Sequence, residues 1–537
     1  MTTSPISSSG KWLALTAALL GWTFDGMEMG LFPLVARPAL KELLGKSERE
    51  KTAESYAEAL KTDPHAKEPQ VKEASDREVN SWYGIATAGF LIGAATGGVL
   101  FGWLGDRLGR VRAMTLSVLT YTLITGLCAF ANSAWQVVVL RFIAALGMGG
   151  EWSLGVALIN EIWPGRSRAF LAGLIGAAAN VGFFLSGATS KVLHGMDVSG
   201  LLESLGLAED LRTRLLANGS WRLMMLVGAA PALLCFFFRL FVPESQRWEQ
   251  ERQRGATSHW ATRDLLGVLI GSAGACGIIY LWSPNEIPLG LCIAGTIVGF
   301  AIAVMGFLYP VMRYLERAGS ADLAAEHQTW PTIRRMLVGA ALSGVALVVT
   351  WGTVQPAPIY AAKMVEDELK LAPTASVDVN QKTTAARETT QMWSAFGAIV
   401  FSILAAFFSD WVGRRVSFML LCILSLASVI YCYQINHGYG NGFLLAVFLM
   451  GGLCSTFYGW LPLYLPELFR TSVRATGQGF CYNFGRILAA IVLLQNGNLN
   501  DLLKSQAAVC TVIGLAYVIG MGIIWLAPET KGKPLPE

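Results

Sequence analysis

Long apolar runs, each about the length of a bilayer crossing, recur from one end of this 537-residue chain to the other. A helix needs about 20 mostly apolar residues to cross the hydrocarbon core. By that measure the pattern predicts spans near 12–38, 79–104, 112–131, 134–160, 168–190, 221–242, 265–283, 288–312, 336–360, 390–410, 415–434, 443–464, 477–497 and 507–527. The expected fold class is an all-α polytopic membrane protein with about 14 crossings, an even number that puts both ends on one side. The short loops on that side carry Arg107, Arg110, Arg112, Arg166 and Arg168, and later Arg414, Arg415, Arg470 and Arg474. The positive-inside rule makes that side cytoplasmic, so a cell-membrane (plasma or inner) protein with cytoplasmic termini is expected. Three longer segments on the opposite side, 39–78, 191–220 and 361–390, are charged and read as solvated surface, the first as a short helical cap or a mobile loop.

Composition narrows the class further. Apolar residues make up 53% of the chain and charged residues 15%, too little charge to cover a soluble protein of this size. A net charge of +4 is too small to suggest a nucleic-acid partner, and the basic residues sit beside apolar segments, so no nucleic acid is expected. All nine cysteines fall inside apolar stretches and read as small core residues. Polar residues 1–11 run straight into a full-length span, which predicts a first membrane helix and not a cleaved leader.

An internal repeat carries the next level of information. Gly105-Asp106-Arg107-Leu108-Gly109-Arg110 follows the second span, and Ser409-Asp410-Trp411-Val412-Gly413-Arg414 follows its counterpart about 300 residues later. Glu161 and Arg168 stand seven residues apart, as do Glu467 and Arg474, and the two halves close on Pro243-Glu244-Ser245 and Pro528-Glu529-Thr530. The glycines permit tight turns between helices. The acids and arginines predict a charge lattice that is made in one conformation and broken in another. The alternative is a set of ordinary positive-inside anchors.

On these residues the chain resembles the major facilitator superfamily. Gly102 to Arg110 is similar to that family's signature loop between helices 2 and 3. Pro243 to Trp248, Glu467 with Arg474, and Pro528 to Lys533 resemble its sugar-porter and general-substrate branch. The resemblance implies two pseudo-symmetric six-helix bundles with substrate bound between them near the membrane midplane. The implied domains are a bundle at 1–248, a linker at 249–335 holding two extra central helices, and a bundle at 336–537. Extra central helices also resemble those of sialate:proton symporters.

Ionisable residues inside spans are functional candidates because burying them is expensive. Asp25 and Glu28 are three apart, so they share a helix face, where two carboxyls are expected to act together on a proton. Arg141 is their natural partner. The Asp-Gly-x-acid pattern resembles organic-acid:proton and sialate:proton symporters, and pairing a helix-1 acid with a helix-4 arginine is similar to proton-coupled sugar porters. Both imply proton coupling through Asp25, Glu28 and Arg141. Arg486, near the midplane, is the main candidate for holding a substrate carboxylate through two parallel hydrogen bonds. Asn180, Gln355, Trp351, Asn483 and Glu151 are further candidates for substrate contact, with Tyr360, Trp393 and Tyr458 at plausible depth. Packing is the alternative for each. Sugar porters carry a paired glutamine where this chain has one, Gln355, flanked by Pro356 and Pro358.

No phosphate-binding loop, nucleophile–base pair or metal-ligand cluster is visible, so the sequence predicts neither an enzyme nor a cofactor or metal. The expected function is proton-coupled symport of a small organic anion, with solute, protons and lipid as partners and a monomer as the unit. A sugar or polyol transporter and a non-transporting solute sensor are the alternatives.

Overall fold

The computed structural model describes residues 8–62, 74–163, 168–239, 242, 244–255, 259–283, 287–319, 329–371 and 379–536. Arg166 and Pro243 lie outside them. Every regular element among the described residues is helical. The helices are α1 (Ser8–Thr62), α2 (Asp76–Leu108), α3 (Arg110–Cys128), α4 (Ala134–Ile162), α5 (Arg168–Gly195), α6 (Val198–Ser204), α7 (Glu209–Arg239), α8 (Gln246–Gln253), α9 (Leu265–Leu281) and α10 (Leu289–Gly319). They continue with α11 (Thr329–Val349), α12 (Ala357–Leu371), α13 (Val379–Val412), α14 (Arg414–Ile430), α15 (Asn441–Ser455), α16 (Phe457–Tyr464), α17 (Arg474–Leu494), α18 (Asn496–Leu503), α19 (Gln506–Gly514) and α20 (Ala516–Ile523).

Among the described residues, 12 helices are long and apolar enough to cross a membrane. The expected count of about 14 is therefore not supported. The two expected spans not among the 12 are 12–38 and 221–242. The first lies in α1, where Asp25 and Glu28 dilute the apolar run. The second lies in α7, whose side chains are described only as far as Ala230. After residue 38 the chain takes the helical alternative, as a continuation of α1 to Thr62 with Pro33 and Pro38 inside it. In α7, Asn218, Gly219 and Ser220 take positive φ (50°, 73° and 55°), and Glu42 of α1 holds this break by accepting from Asn218, Trp221 and Arg222.

The helices assort into two packed groups. In the first, α2 lies on α4, α3 on α4 and α7, and α1 on α5 and α7. In the second, α11 lies on α17, α13 on α12 and α15, and α20 on α11 and α14. Two seams join the groups, α2 against α17 and α5 against α13, with α16 also touching α5. The first seam is tight enough to require glycine, since a Cβ at Gly479 would stand 2.4 Å from the Gly98 carbonyl oxygen. The α9–α10 hairpin lies across the α2/α17 seam and also touches α11.

Candidate functional site

Between the two groups lies a cavity with about 990 Å³ of atom-free space, part of it open to solvent. Asp25 of α1, Trp152 of α4 and Asn180 of α5 line it from one group. Trp351, Gln355, Gln391, Tyr458, Tyr482 and Arg486 line it from the other. The turn Thr350–Val354 that presents Trp351 is a π-helix, and the Gln355 N–H donates to the Thr350 carbonyl five residues back at 3.2 Å. Pro356 has no N–H to restore the ordinary ladder, so the widened turn persists and directs Thr350 and Trp351 inwards.

Arg486 is 3% exposed, and its guanidinium carbon lies 5.3 Å from the Tyr482 ring centroid. Its Nε and Nη1 are buried without a hydrogen-bond partner among the described residues. Tyr482 in turn stacks on Trp152 of the opposite group, with centroids 3.7 Å apart and planes 8° from parallel. Asp25 and Arg486 are both within electrostatic reach of that tyrosine.

The other sequence candidates divide. Asp25 faces the cavity, while Glu28 lies behind it and accepts from Arg141 Nη1 at 2.8 Å. This pair is buried, and the Arg141 guanidinium also lies 3.8 Å from the Phe32 ring centroid. Asn180 reaches the cavity while donating to its own helix at Gly176. Glu151 and Asn483 are fully buried but do not line the cavity. Asn483 donates across the seam to the Gly149 carbonyl at 3.0 Å. Tyr360 and Trp393 also lie outside the lining, and Trp393 is exposed.

Sequence reasoning missed two residues of α13. Gln391 lines the cavity and donates to the Gly30 carbonyl at 3.0 Å and the Phe183 carbonyl at 3.3 Å, tying α13 to α1 and α5. Glu388, also buried, accepts from Ser190 at 2.6 Å and lies 3.1 Å from His194 Nδ1. The usable signal was a polar stripe at helical spacing, Thr384, Glu388 and Gln391. Starting the span at 390 left Thr384 and Glu388 outside it and Gln391 alone at its edge.

The repeat motifs converge at the end of the molecule where Trp12 meets Trp163 and where the last described residues lie. Arg110 binds the Gly105 carbonyl and Asp106 (2.8 and 2.6 Å), Glu161 (3.2 Å) and the Thr471 carbonyl of the other group (3.0 Å). Arg414 repeats the set with the Ser409 carbonyl (2.8 Å), Asp410 (3.2 Å) and Glu467 (2.9 Å). Glu244 and Glu529 accept the backbone N–H of Arg110 and Arg414, at 2.8 and 3.1 Å. The hydroxyls of Ser245 and Thr530 bind Glu161 and Glu467. Gly109 and Gly413 precede the arginines with φ of 115° and 113°, a conformation that side chains resist. The two groups then cross over: Arg474 reaches Glu161 at 3.4 Å, and Arg168 reaches Glu467 at 3.5 Å. Arg107 instead turns to Thr262, donating at 2.7 Å.

Burial raises the Glu244 carboxyl above the usual range, and its backbone donors only partly oppose this. Burial pushes Glu529 the same way, but the N–H groups of Arg415, Arg414, Lys531 and Thr530 outweigh it and hold the carboxyl below that range.

The model of the family described as "Sugar (and other) transporter" matches residues 43–266 and 376–537, more than half of the chain. The chain belongs to that family. It is a transporter of the major facilitator superfamily and not an enzyme. A Haemophilus influenzae protein named for metabolite transport is 27% identical over 446 residues, 83% of this chain and 86% of that one. A Cupriavidus pinatubonensis protein named for 4-methylmuconolactone transport is 25% identical, covering 82% and 80%. The cis,cis-muconate transport protein of Acinetobacter baylyi is 31% identical over 162 residues, 30% of this chain and 34% of that one. Among solved structures, the proton:xylose symporter XylE shares the fold, with a TM-score of 0.63 at 18% identity over 98% of both chains.

Proposed function

We propose that this transporter is a proton-coupled symporter of a small organic anion, working by alternating access. Arg486 carries the reading. It lines the cavity between the helix groups with two nitrogens, Nε and Nη1, buried and without a partner among the described residues, and a carboxylate there would give the guanidinium an acceptor. The names of the muconate and muconolactone relatives support the same substrate class. Asp25 faces the cavity, and Glu28 with Arg141 forms the ion pair behind it. Protonation in this set would release Arg141 and pass the charge change to the cavity wall. The repeated lattice closes one end in this conformation, and its arginine-rich loops fit a cytoplasmic face. Residues 1–248 and 336–537 then act as the two moving bundles, with 249–335 as the inserted hairpin.

A thermal-shift assay of purified protein tests the reading, using cis,cis-muconate and xylose at two pH values. A ligand at a hundredfold excess over its Kd adds about 2.7 kcal/mol to apparent stability. Stabilisation by muconate that falls roughly a hundredfold in affinity in Arg486→Ala supports it. Undiminished affinity in that variant rejects it. Stabilisation by xylose alone would favour a neutral sugar held by the amides of Asn180, Gln355 and Gln391, a reading that the XylE-like fold supports.

A further inference from the structure

Ser186, Ser190 and His194, spaced four apart on α5, meet α13 across the seam between the helix groups. The backbones run close here, since a Cβ at Gly187 would stand 2.9 Å from the Met392 side chain. Ser186 bonds Gln391 at the rim of the cavity. One turn further from the charge lattice, Glu388 Oε1 accepts from the Ser190 hydroxyl at 2.6 Å and lies 3.1 Å from His194 Nδ1. The same Nδ1 lies 2.8 Å from the Ser190 carbonyl oxygen. A carbonyl only accepts, so Nδ1 carries a proton and donates to both oxygens. Neutral His194 therefore keeps its basic nitrogen at Nε2. The Glu388 side chain is 4% exposed and that of His194 42%, so the ring stands between a buried carboxylate and the surface.

Among the described residues, Glu388 is the charged side chain that acts on this ring. Arg387, beside Glu388, has Arg37 of α1 and Glu366 of α12 within electrostatic reach. Tyr439, just before α15, reaches Thr389 and Thr390, while Lys191 of α5 and Lys382 of α13 are exposed. Arginine and lysine hold their charge across neutral pH, so the imidazole is the group whose ordinary titration falls there.

We infer that His194 and Glu388 form a proton-binding clasp on this edge, separate from Asp25, Glu28 and Arg141. A proton from the solution at this end adds to Nε2 and makes an imidazolium, and Glu388 gives none up. The hydrogen bond between the groups thereby becomes an ion pair, in a part-buried place where salt screens it weakly. The clasp holds these ends of α5 and α13 together while His194 is charged, and slackens as pH rises through the histidine range. It needs no substrate, so it does not rest on the function proposed above.

Spin labels on Val192→Cys and Ala385→Cys, both exposed and outside these bonds, report the separation of α5 and α13 in a chain freed of its native cysteines. Double electron–electron resonance should give mainly one short distance at about pH 5.5, with a longer component growing about threefold by about pH 8. His194→Gln keeps a side-chain donor but cannot charge, so its distances should match at both pH values and resemble those of the parent at the higher one. A second measurement uses the natural cysteines: the melting temperature of the parent should exceed that of His194→Gln by more at the lower pH than at the higher. Parent distances that ignore pH, a pH response that survives in His194→Gln, or an equal melting gap at both pH values overturns the inference. Arg486→Ala should leave both measurements unchanged while abolishing muconate stabilisation, which separates failure of the clasp from failure of the anion site.

Discussion

Asp106 and Asp410 hold matching places in the two halves of the charge lattice, yet Asp106 is fully buried and the Asp410 side chain is 52% exposed. Both pair with the arginine four residues on. Asp106 additionally accepts the N–H and hydroxyl of Thr476, from the opposite helix group, at 2.9 and 2.5 Å. Trp248 of α8 covers it, donating to its carbonyl at 2.9 Å. The repeat explains the difference. Counting from the paired Glu–Arg motifs, the residue matching Thr476 is Phe170, two places after Arg168. Phenylalanine offers no donor, and Phe170 packs against Phe407 instead. One half of the lattice is therefore a polar bridge between groups, and the other is chiefly a brace within its own group. A two-fold repeat of charged residues leaves this asymmetry to a single uncharged position.

Removing the arginines should give the largest contrast. Arg110→Ala leaves buried Asp106 with only the neutral donors of Thr476 and buried Glu161 with Arg474 at 3.4 Å, and should cost about 3–5 kcal/mol. Arg414→Ala leaves Asp410 with water and Glu467 with Arg168, and should cost roughly 1.5–3 kcal/mol. Thermal unfolding in detergent measures both, and equal losses would break the comparison. Double-mutant cycles test the bridge next. Thr476→Val with Asp106→Asn should show a coupling of about 1–2 kcal/mol, whereas Phe170→Ala with Asp410→Asn should show almost none.

A third contrast follows pH. Glu529 is held below the usual range, so its stabilisation is present above the unfolded pKa and disappears as pH falls through the folded value. Glu244 is held above that range, so its contribution is present below the unfolded pKa and is lost as pH rises through the folded value. Melting temperatures of Glu529→Gln and Glu244→Gln, followed from neutrality down through the carboxylate range, should approach the parent from opposite sides. The smallest effect belongs to Asp410→Asn, under about 1 kcal/mol, because a half-exposed ion pair is screened. A larger loss would mean that Asp410 has a partner across the seam after all.

The charge lattice was legible because its chemistry is written twice and in charges. Asp106, Arg110, Glu161 and Glu244 meet as the spacing required, and so do Asp410, Arg414, Glu467 and Glu529. The Glu28–Arg141 pair was legible for a related reason: buried charges of opposite sign must find each other. Gln391 and Glu388 were not. They stand near the start of α13, where polar residues blend into what reads as a loop, and only the completed helix shows that they share its inner face. Asn483 and Glu151 had the composition of cavity residues, but neighbouring glycines let the backbones approach so closely that no room remains there. Depth along a helix can be counted from sequence, whereas rotation about its axis cannot when both faces are apolar.

The α9–α10 hairpin gives the molecule a spine. Ser272 of α9 meets Thr96 of α2 at 3.1 Å, Phe300 of α10 packs on Phe484 of α17, and Arg317 ties the hairpin's two ends together through Asp264. One edge of the paired groups is thus bound like the pages of a book, while among the described residues the α5/α13 edge has no such cover. Rigid leaves joined along one edge open widest along the other. Displacement during a cycle should then concentrate at α5 and α13, and surrounding lipid would feel that motion on one flank only.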